Sequence, residues 1–183
     1  MHLFVVGGAG LGVFRHGFPQ QQRDGSFIAD VPLPGGGLYM TFVEFVPAGA
    51  SPQMAQQAFM IGSPLGARPD EPTDEPHVSN GIRAAIDTSH VASGRESSLA
   101  FDLTDDVSGV PLVDLDAYLG ASGQLFAVSA DLTDGQSLQP QDASRGPHLV
   151  FSPLFPRTGR YKVWLQVQRS GLLATIPFVI DVR

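Results

Sequence analysis

The stretch that decides the fold is Phe155-Pro-Arg-Thr-Gly-Arg-Tyr-Lys-Val-Trp-Leu-Gln-Val-Gln-Arg169. Apolar and mainly polar positions alternate in its second half, and the apolar set is Tyr161, Val163, Leu165 and Val167. A period of two is typical of a β-strand that buries one face. Pro156 and Gly159 come just before the strand, where turn residues are expected. The C-terminal segment alternates in the same way, with Ile176, Phe178, Ile180 and Val182 on one face, so a second strand is predicted at the end of the chain.

The same pattern occurs near the N-terminus. A shift of 122 residues places Pro34, Gly37 and Tyr39 on Pro156, Gly159 and Tyr161. The same shift places Leu3-Phe4-Val5-Val6 on Leu125-Phe126-Ala127-Val128, and Phe59 matches Phe178 after a further displacement of three residues. We therefore predict an internal repeat, in which each copy is a set of short strands separated by glycine and proline. Each tyrosine should be buried, with its hydroxyl hydrogen-bonded near the sandwich edge.

The predicted fold class is all-β, with two immunoglobulin/cupredoxin-like antiparallel β-sandwich units of which the first is incomplete. Residues 1–62 form a truncated repeat, residues 63–77 a Pro-rich acidic linker, and residues 78–183 a complete repeat. The second copy gains two or three more strands from 82–88, 97–103 and 110–119. The first copy has no counterpart of these segments, so we expect an upstream piece of chain or a partner to supply its missing strands.

The amino-acid composition limits the classes of protein to which the chain can belong. The chain has 21 Gly and 15 Pro among 183 residues, which argues against a helical bundle, while 43% hydrophobic residues are enough for a core. Cysteine is absent, which excludes disulfides and thiolate chemistry. The net charge of −7 argues against a nucleic-acid partner, and no apolar run is long enough to predict a transmembrane segment.

Two segments carry a resemblance to a known family. Val110-Pro-Leu-Val-Asp-Leu-Asp-Ala-Tyr-Leu-Gly-Ala-Ser-Gly-Gln-Leu-Phe-Ala-Val128 and the 155–169 stretch closely resemble an immunoglobulin-like domain of bacterial secreted and periplasmic proteins. That domain is found near heavy-metal and copper handling systems. The resemblance implies a periplasmic or otherwise extracytoplasmic location. It also implies an imidazole cluster for copper or zinc, built from a Gly-His-Leu strand and a His-x-His-Pro loop.

The sequence departs from the family at those ligands. The second copy has Gly123-Gln124-Leu125 and Ser137-Leu138-Gln139-Pro140, so all three imidazoles are replaced. The first copy keeps His2 and His16, but Phe18 stands where the last histidine is expected. His2 and His16 are therefore the candidate metal ligands, with an unliganded histidine pair as the alternative. We expect that the chain keeps the fold of this family and has lost most of its metal-binding ligands.

Other candidate motifs lack the flanking sequence that their functions require. Val5-Val6-Gly7-Gly8-Ala9-Gly10-Leu11-Gly12 looks like a dinucleotide-binding turn, but residues 13–24 lack a helical period, so a strand followed by a loop is predicted. Residues 102–109 lack the glycine spacing of an EF-hand loop and predict a polar hairpin turn. No nucleophile elbow, His-Glu-x-x-His or phosphate-binding loop is present. The sequence therefore predicts a protein that is not an enzyme and needs no cofactor.

The predicted function is a non-catalytic, extracytoplasmic structural or interaction module. We expect an accessory subunit bound to a larger envelope or membrane complex, because strand 39–46 is apolar on both faces and the first repeat is incomplete. The alternative is a periplasmic copper- or zinc-binding or metal-carrier domain that uses His2 and His16. We expect residues 1–62 to pack against the 78–183 domain, a partner protein, or both, and the residues predicted to supply much of the apolar contact are Phe42, Val46, Met54, Phe59 and Met60.

Overall fold

The structure is a computed structural model that describes residues 1–7, 9–62 and 76–183. The chain divides into two compact units, Met1–Asp70 and Glu71–Arg183. The predicted Pro-rich linker falls almost entirely on residues 63–75, which lie outside the described residues. The predicted all-β class is confirmed, since antiparallel strands make up nearly all of the regular structure. Among the described residues, no helix has the length and apolar character needed to span a bilayer.

The first unit contains one four-stranded antiparallel sheet and a short two-stranded ribbon. The strands are β1 (His2–Gly7), β2 (Val13–Gly17), β3 (Gln20–Gln21), β4 (Phe27–Ile28), β5 (Gly37–Phe45) and β6 (Gln53–Ile61). The sheet order is β2-β1-β5-β6, and β3 pairs with β4. A 3-10 turn at Ala9–Leu11 joins β1 to β2. The glycine-rich stretch is followed by no helix, as expected, but residues 13–17 form strand β2 where a loop was predicted.

The second unit contains two four-stranded sheets. Its strands are β7 (His77–Ser79), β8 (Ile82–His90), β9 (Ser98–Asp105), β10 (Gln124–Ser129), β11 (Gly135–Leu138), β12 (His148–Phe151), β13 (Gly159–Arg169) and β14 (Leu172–Val182). The sheet orders are β11-β10-β13-β14 and β12-β9-β8-β7. Side chains from both sheets form one hydrophobic cluster that includes Leu99, Phe101, Leu125, Val163 and Phe178. This unit is a sandwich with a closed core.

One sheet of each unit has the same strand order, and its two central strands pair in the same register. In the first unit His2 pairs with Glu44 and Gly7 pairs with Tyr39. In the second unit the corresponding pairs are Gln124 with Gln166 and Ser129 with Tyr161. Every pair between β1 and β5 becomes a pair between β10 and β13 when 122 is added to both numbers. Positions in the two sheets can therefore be compared residue by residue.

The hairpin that follows differs in length between the units. Tyr39 pairs with Phe59 in the first unit, and Tyr161 pairs with Ile180 in the second. The structural counterpart of Phe59 is therefore Ile180, and the predicted match with Phe178 is wrong. The β13–β14 hairpin is one residue shorter than a constant shift requires, and Phe178 pairs with Val163 instead.

The structure confirms the predicted environment of Tyr39 and Tyr161. Tyr39 is 0% exposed and donates its hydroxyl proton to the Gly35 carbonyl at 2.8 Å. Tyr161 is 1% exposed and donates to the Arg157 carbonyl at 3.2 Å. In both units the acceptor lies four residues before the tyrosine, so the hydroxyl holds the loop that leads into the central strand.

The segment 110–119 supplies only isolated bridges. Pro111 pairs with Thr104, and Asp116 pairs with Gln168, but no continuous strand forms. Of the three segments expected to supply two or three additional strands, two form strands, as β8 and β9. The carboxylate of Asp114 accepts hydrogen bonds from the Arg169 guanidinium, and Asp116 accepts one from the Gly171 amide. These side-chain contacts add to the backbone hydrogen bonds that the Leu112, Leu115 and Asp116 amides donate to other segments.

Candidate functional site

The two predicted metal ligands lie side by side on neighbouring strands. His2 is on β1 and His16 on β2, and Nδ1 of His2 lies 3.0 Å from Nε2 of His16. The His16 ring stacks on Phe4, with 4.2 Å between ring centroids, and Phe18 contacts both imidazoles at 5.1 to 5.4 Å. The structure therefore brings His2 and His16 together within a group of aromatic rings.

The environment favours the neutral form of His2. Burial lowers the pKa of His2, since desolvation penalises the imidazolium, and the positive N-terminus lowers it further. Glu44, the cross-strand partner of His2, acts in the opposite direction. With a neutral imidazole, one ring nitrogen of the pair donates the hydrogen bond and the other accepts it. The 3.0 Å contact is then a histidine–histidine hydrogen bond.

The same pair supplies an incomplete metal site. Within 1–7, 9–62 and 76–183, no group of three or more His, Cys, Asp or Glu side chains is placed to hold a metal ion. Structural zinc takes four protein ligands and catalytic zinc at least three. The described residues contribute two imidazole nitrogens, one of which carries the proton of the hydrogen bond. Metal binding by the pair would have to displace that proton.

The corresponding positions of the second unit are also hydrogen-bonded to each other. His2 corresponds to Gln124, and His16, which pairs with Phe4, corresponds to Ser137, which pairs with Phe126. The side-chain amide of Gln124 donates to the hydroxyl of Ser137. Gln124 is 4% exposed, so its partner is needed to satisfy a buried amide. A polar pair at this place joins β1 to β2 in the first unit and β10 to β11 in the second.

The predicted interface residues separate into exposed and buried groups. Val46 is 66% exposed and Met60 is 52% exposed. Met54 and Phe59 are partly buried, and the ring of Phe59 stacks on Tyr39 with 5.6 Å between centroids. Phe42 is fully buried, and its predicted place in an interface stays a prediction. Three of the five residues, Met54, Phe59 and Met60, lie on the one strand β6.

A cluster that sequence analysis missed surrounds the entry to β13. The Arg157 guanidinium donates to the carboxylates of Asp134, at 2.8 Å, and Asp131, at 3.2 Å. Hydrogen bonds from Ser129, Thr133 and Arg157 hold the pKa of Asp131 well below its usual range. Ser129, Asp131 and Arg157 line a cavity of about 170 Å³ together with Gly159, Arg160 and Tyr161. Because Arg157 is paired with two carboxylates, the cluster fixes the turn after β10.

A further pair lies on the second sheet. Nδ1 of His148 is 2.8 Å from the carboxylate of Asp102, its cross-strand partner, and both side chains are more than half exposed. The polar hairpin turn predicted at 102–109 is confirmed only in part, since residues 102–105 belong to β9 and the turn covers 106–108, where the Asp105 carboxylate accepts hydrogen bonds from the Ser108 amide and hydroxyl. The sequence does not reveal the His148–Asp102 pair, because the two residues are far apart in the chain and only strand register brings them together.

Comparison with known proteins adds the family. A model for a domain of unknown function, DUF8832, matches residues 77–183, which is more than half of the chain. The chain belongs to the DUF8832 family. The DUF8832 match spans β7 to β14 and so covers the closed sandwich of the second unit. No curated protein and no solved structure matches the chain.

Proposed function

We propose that this chain is a non-catalytic, extracytoplasmic interaction module that serves as an accessory subunit of a larger envelope or membrane complex. The observation that carries the proposal is the apolar surface on one face of β5 and β6. Leu38 and Met60 are a cross-strand pair, and they are 44% and 52% exposed. Val46, the residue that follows β5, is 66% exposed. Exposed apolar side chains gathered on one face are typical of protein-binding surfaces.

The charge distribution supports binding by apolar contact. Residues 1–62 contain two arginines and three acidic residues, a net charge of −1, whereas the whole chain carries −7. The apolar face therefore lies in the part of the sequence with the least charge. The core of a protein interface is depleted in charged residues, and its affinity comes mainly from a few well-packed side chains. The partner surface should accordingly be apolar where it meets Leu38 and Met60.

The experiment is cross-linking mass spectrometry on envelope fractions that contain the full chain. Met60→Asp should lose the cross-links to the partner subunit, because a carboxylate would be buried in an apolar contact. Val107→Asp is the matched control, since Val107 is 94% exposed in the second unit. The control should keep every cross-link. Recovery of the same subunits with Met60→Asp as with the unchanged chain would contradict the proposal.

A second candidate function is copper or zinc binding, and the 3.0 Å contact between His2 and His16 is the observation that favours it. Calorimetric titration with each metal is the test. The double variant His2→Gln/His16→Ser copies the pair of the second unit and removes both imidazoles while keeping a hydrogen bond. Stoichiometric, submicromolar binding that this variant abolishes would establish the metal function. Equal heats from both proteins would exclude it.

A further inference from the structure

Strand β6 is an edge strand without the usual protection. Among the described residues it pairs only with β5, and seven of its nine residues are exposed. Its sequence, Gln53-Met-Ala-Gln-Gln-Ala-Phe-Met-Ile61, contains no charge and no proline. Native edge strands are commonly blocked by charges, prolines or bulges, because their free backbone groups would otherwise pair with another strand. β6 carries none of these devices.

The corresponding edge of the second unit is blocked. Phe42 pairs with Gln56, and its counterpart Trp164 pairs with Pro177. Gln56 therefore occupies on β6 the place that Pro177 occupies on β14. A proline inside an edge strand is tolerated where its nitrogen points away from the neighbouring strand. At this place β6 offers an outward N–H group, and β14 offers none.

Side-chain hydrogen bonds also indicate which backbone groups of β6 face β5 and which face outward. The Thr41 hydroxyl donates to the Gln57 carbonyl at 2.9 Å, so that carbonyl faces β5. The Gln57 side-chain amide donates to the next carbonyl, that of Ala58, at 2.9 Å. Since backbone direction alternates along a strand, the outward groups belong to Met54, Gln56, Ala58 and Met60. Gln57, the midpoint of β6, faces inward.

We propose that β6 pairs in antiparallel register with β6 of a second copy of this chain, about a two-fold axis at Gln57. This register overlaps all nine residues of the strand, because Gln57 is its midpoint, and it places the outward residues opposite one another. The result is a continuous eight-stranded sheet. An isologous contact of this kind needs a self-complementary surface, and the uncharged sequence of β6 is one. This inference does not rest on the proposed function.

Side chains across the axis are compatible with the pairing. Met54 lies opposite the partner's Met60 on one face, and Ala55 lies opposite the partner's Phe59 on the other. Apolar cross-strand pairs stabilise antiparallel sheets, and directly opposed like charges destabilise them. No like charges meet here. The net charge of −1 in residues 1–62 also keeps the repulsion between copies small.

Cysteine cross-linking tests the register. The chain has no cysteine, so a single Gln57→Cys substitution reports only on its own position. Two Gln57 positions meet at the axis, and mild oxidation should convert the variant into a covalent dimer. Gln53→Cys is the matched control on the same strand face, since the partner's Gln53 lies about 27 Å away, eight residues along the sheet. Equal cross-linking of the two variants would overturn the proposed register.

Sedimentation equilibrium tests the dimer itself. The unchanged chain should sediment at twice 19.4 kDa in the micromolar range, and Gln56→Pro, which copies Pro177, should sediment at 19.4 kDa. Gln56→Thr keeps the N–H group and should remain dimeric. If Gln56→Pro does not fold, Gln57→Lys and Gln57→Glu replace it: each alone should be monomeric, and their mixture should dimerise. A monomeric unchanged chain, or dimers of every variant, would overturn the proposal.

Discussion

The position of His2 shows how one residue change alters the chemistry of an otherwise equivalent place. His2 and Gln124 occupy the same register position, and each is hydrogen-bonded to a side chain on the neighbouring strand. The amide of Gln124 has no proton equilibrium near neutral pH, whereas the imidazole of His2 has one. The first unit therefore contains a pH-sensitive contact where the second contains a pH-independent one.

A loss of stability in mild acid follows from this contact. The pKa of His2 is lowered by folding, so the unfolded chain binds more protons as the pH falls below about 6.5. The stabilisation is present above the unfolded-state pKa and is lost as the pH falls through the lowered folded-state pKa. We expect the melting temperature to fall over this window, and His2→Gln to reduce the fall. His90→Gln, at an exposed histidine, is the control and should leave the profile unchanged.

The tyrosine hydroxyls allow a second prediction at the scale of single residues. Tyr161→Phe removes only the hydrogen bond to the Arg157 carbonyl and should lower the free energy of unfolding by about 1 kcal/mol. Tyr161→Ala also leaves a cavity, and its cost should be about 3 kcal/mol. Urea denaturation measures both values. Equal costs for the two variants would show that the ring is not packed as described.

At the scale of elements, Gly7 controls how closely β1 and β5 approach. Gly7 has φ +149°, and a Cβ atom there would lie 2.3 Å from the Leu38 carbonyl oxygen. The obstructing atom is backbone, so a side chain could fit only if the two strands moved apart. Gly7→Ala should therefore cost roughly 2 kcal/mol of stability.

Gly17 is the matched control for this substitution. It lies at the end of β2, and a Cβ atom placed there would meet nothing within 4 Å. Gly17→Ala should leave the denaturation midpoint nearly unchanged. If both alanine variants unfolded at the same urea concentration, the close approach of β1 and β5 at Gly7 would be contradicted.

The elements also show what sequence could predict. Alternating apolar residues located β5, β13 and β14. In β14 one face is buried more than the other, as the alternation predicts, whereas residues 161–167 of β13 are buried on both faces, so the wetter face that the alternation predicts there is wrong. The register of the last strand was missed, since Phe178 and Ile180 are both apolar and point to the same face. A constant spacing could not reveal a hairpin shortened by one residue.

The candidate site could be predicted only in part, again because the sequence does not reveal strand register. His2 and His16 could be identified by residue type, and the strand pairing brings them together. Phe42 was assigned to an interface because strand 39–46 is apolar on both faces, and that assignment stays a prediction for a side chain that is fully buried. The Arg157–Asp131 and His148–Asp102 contacts depend on register and turn geometry across 26 and 46 residues. Neither contact leaves a local sequence pattern.

At the scale of the whole molecule, the two units differ in how much core they contain. Every member of the hydrophobic cluster lies between Ile82 and Val182, where two sheets enclose it. We expect a fragment of residues 76–183 to unfold cooperatively by itself, because it buries its apolar faces between its own sheets. Differential scanning calorimetry of the fragment should show a single transition. A fragment without a transition would contradict the independence of this unit.

The contrast between Gln56 and Pro177 also has a genetic meaning. Every glutamine codon becomes a proline codon when its middle adenine is replaced by cytosine. The exposed edge of β6 is thus one transversion away from the blocked form that β14 already has. Natural variants of this chain with proline at the position of Gln56 would be the alleles in which pairing has been lost, and their occurrence can be surveyed by sequencing alone.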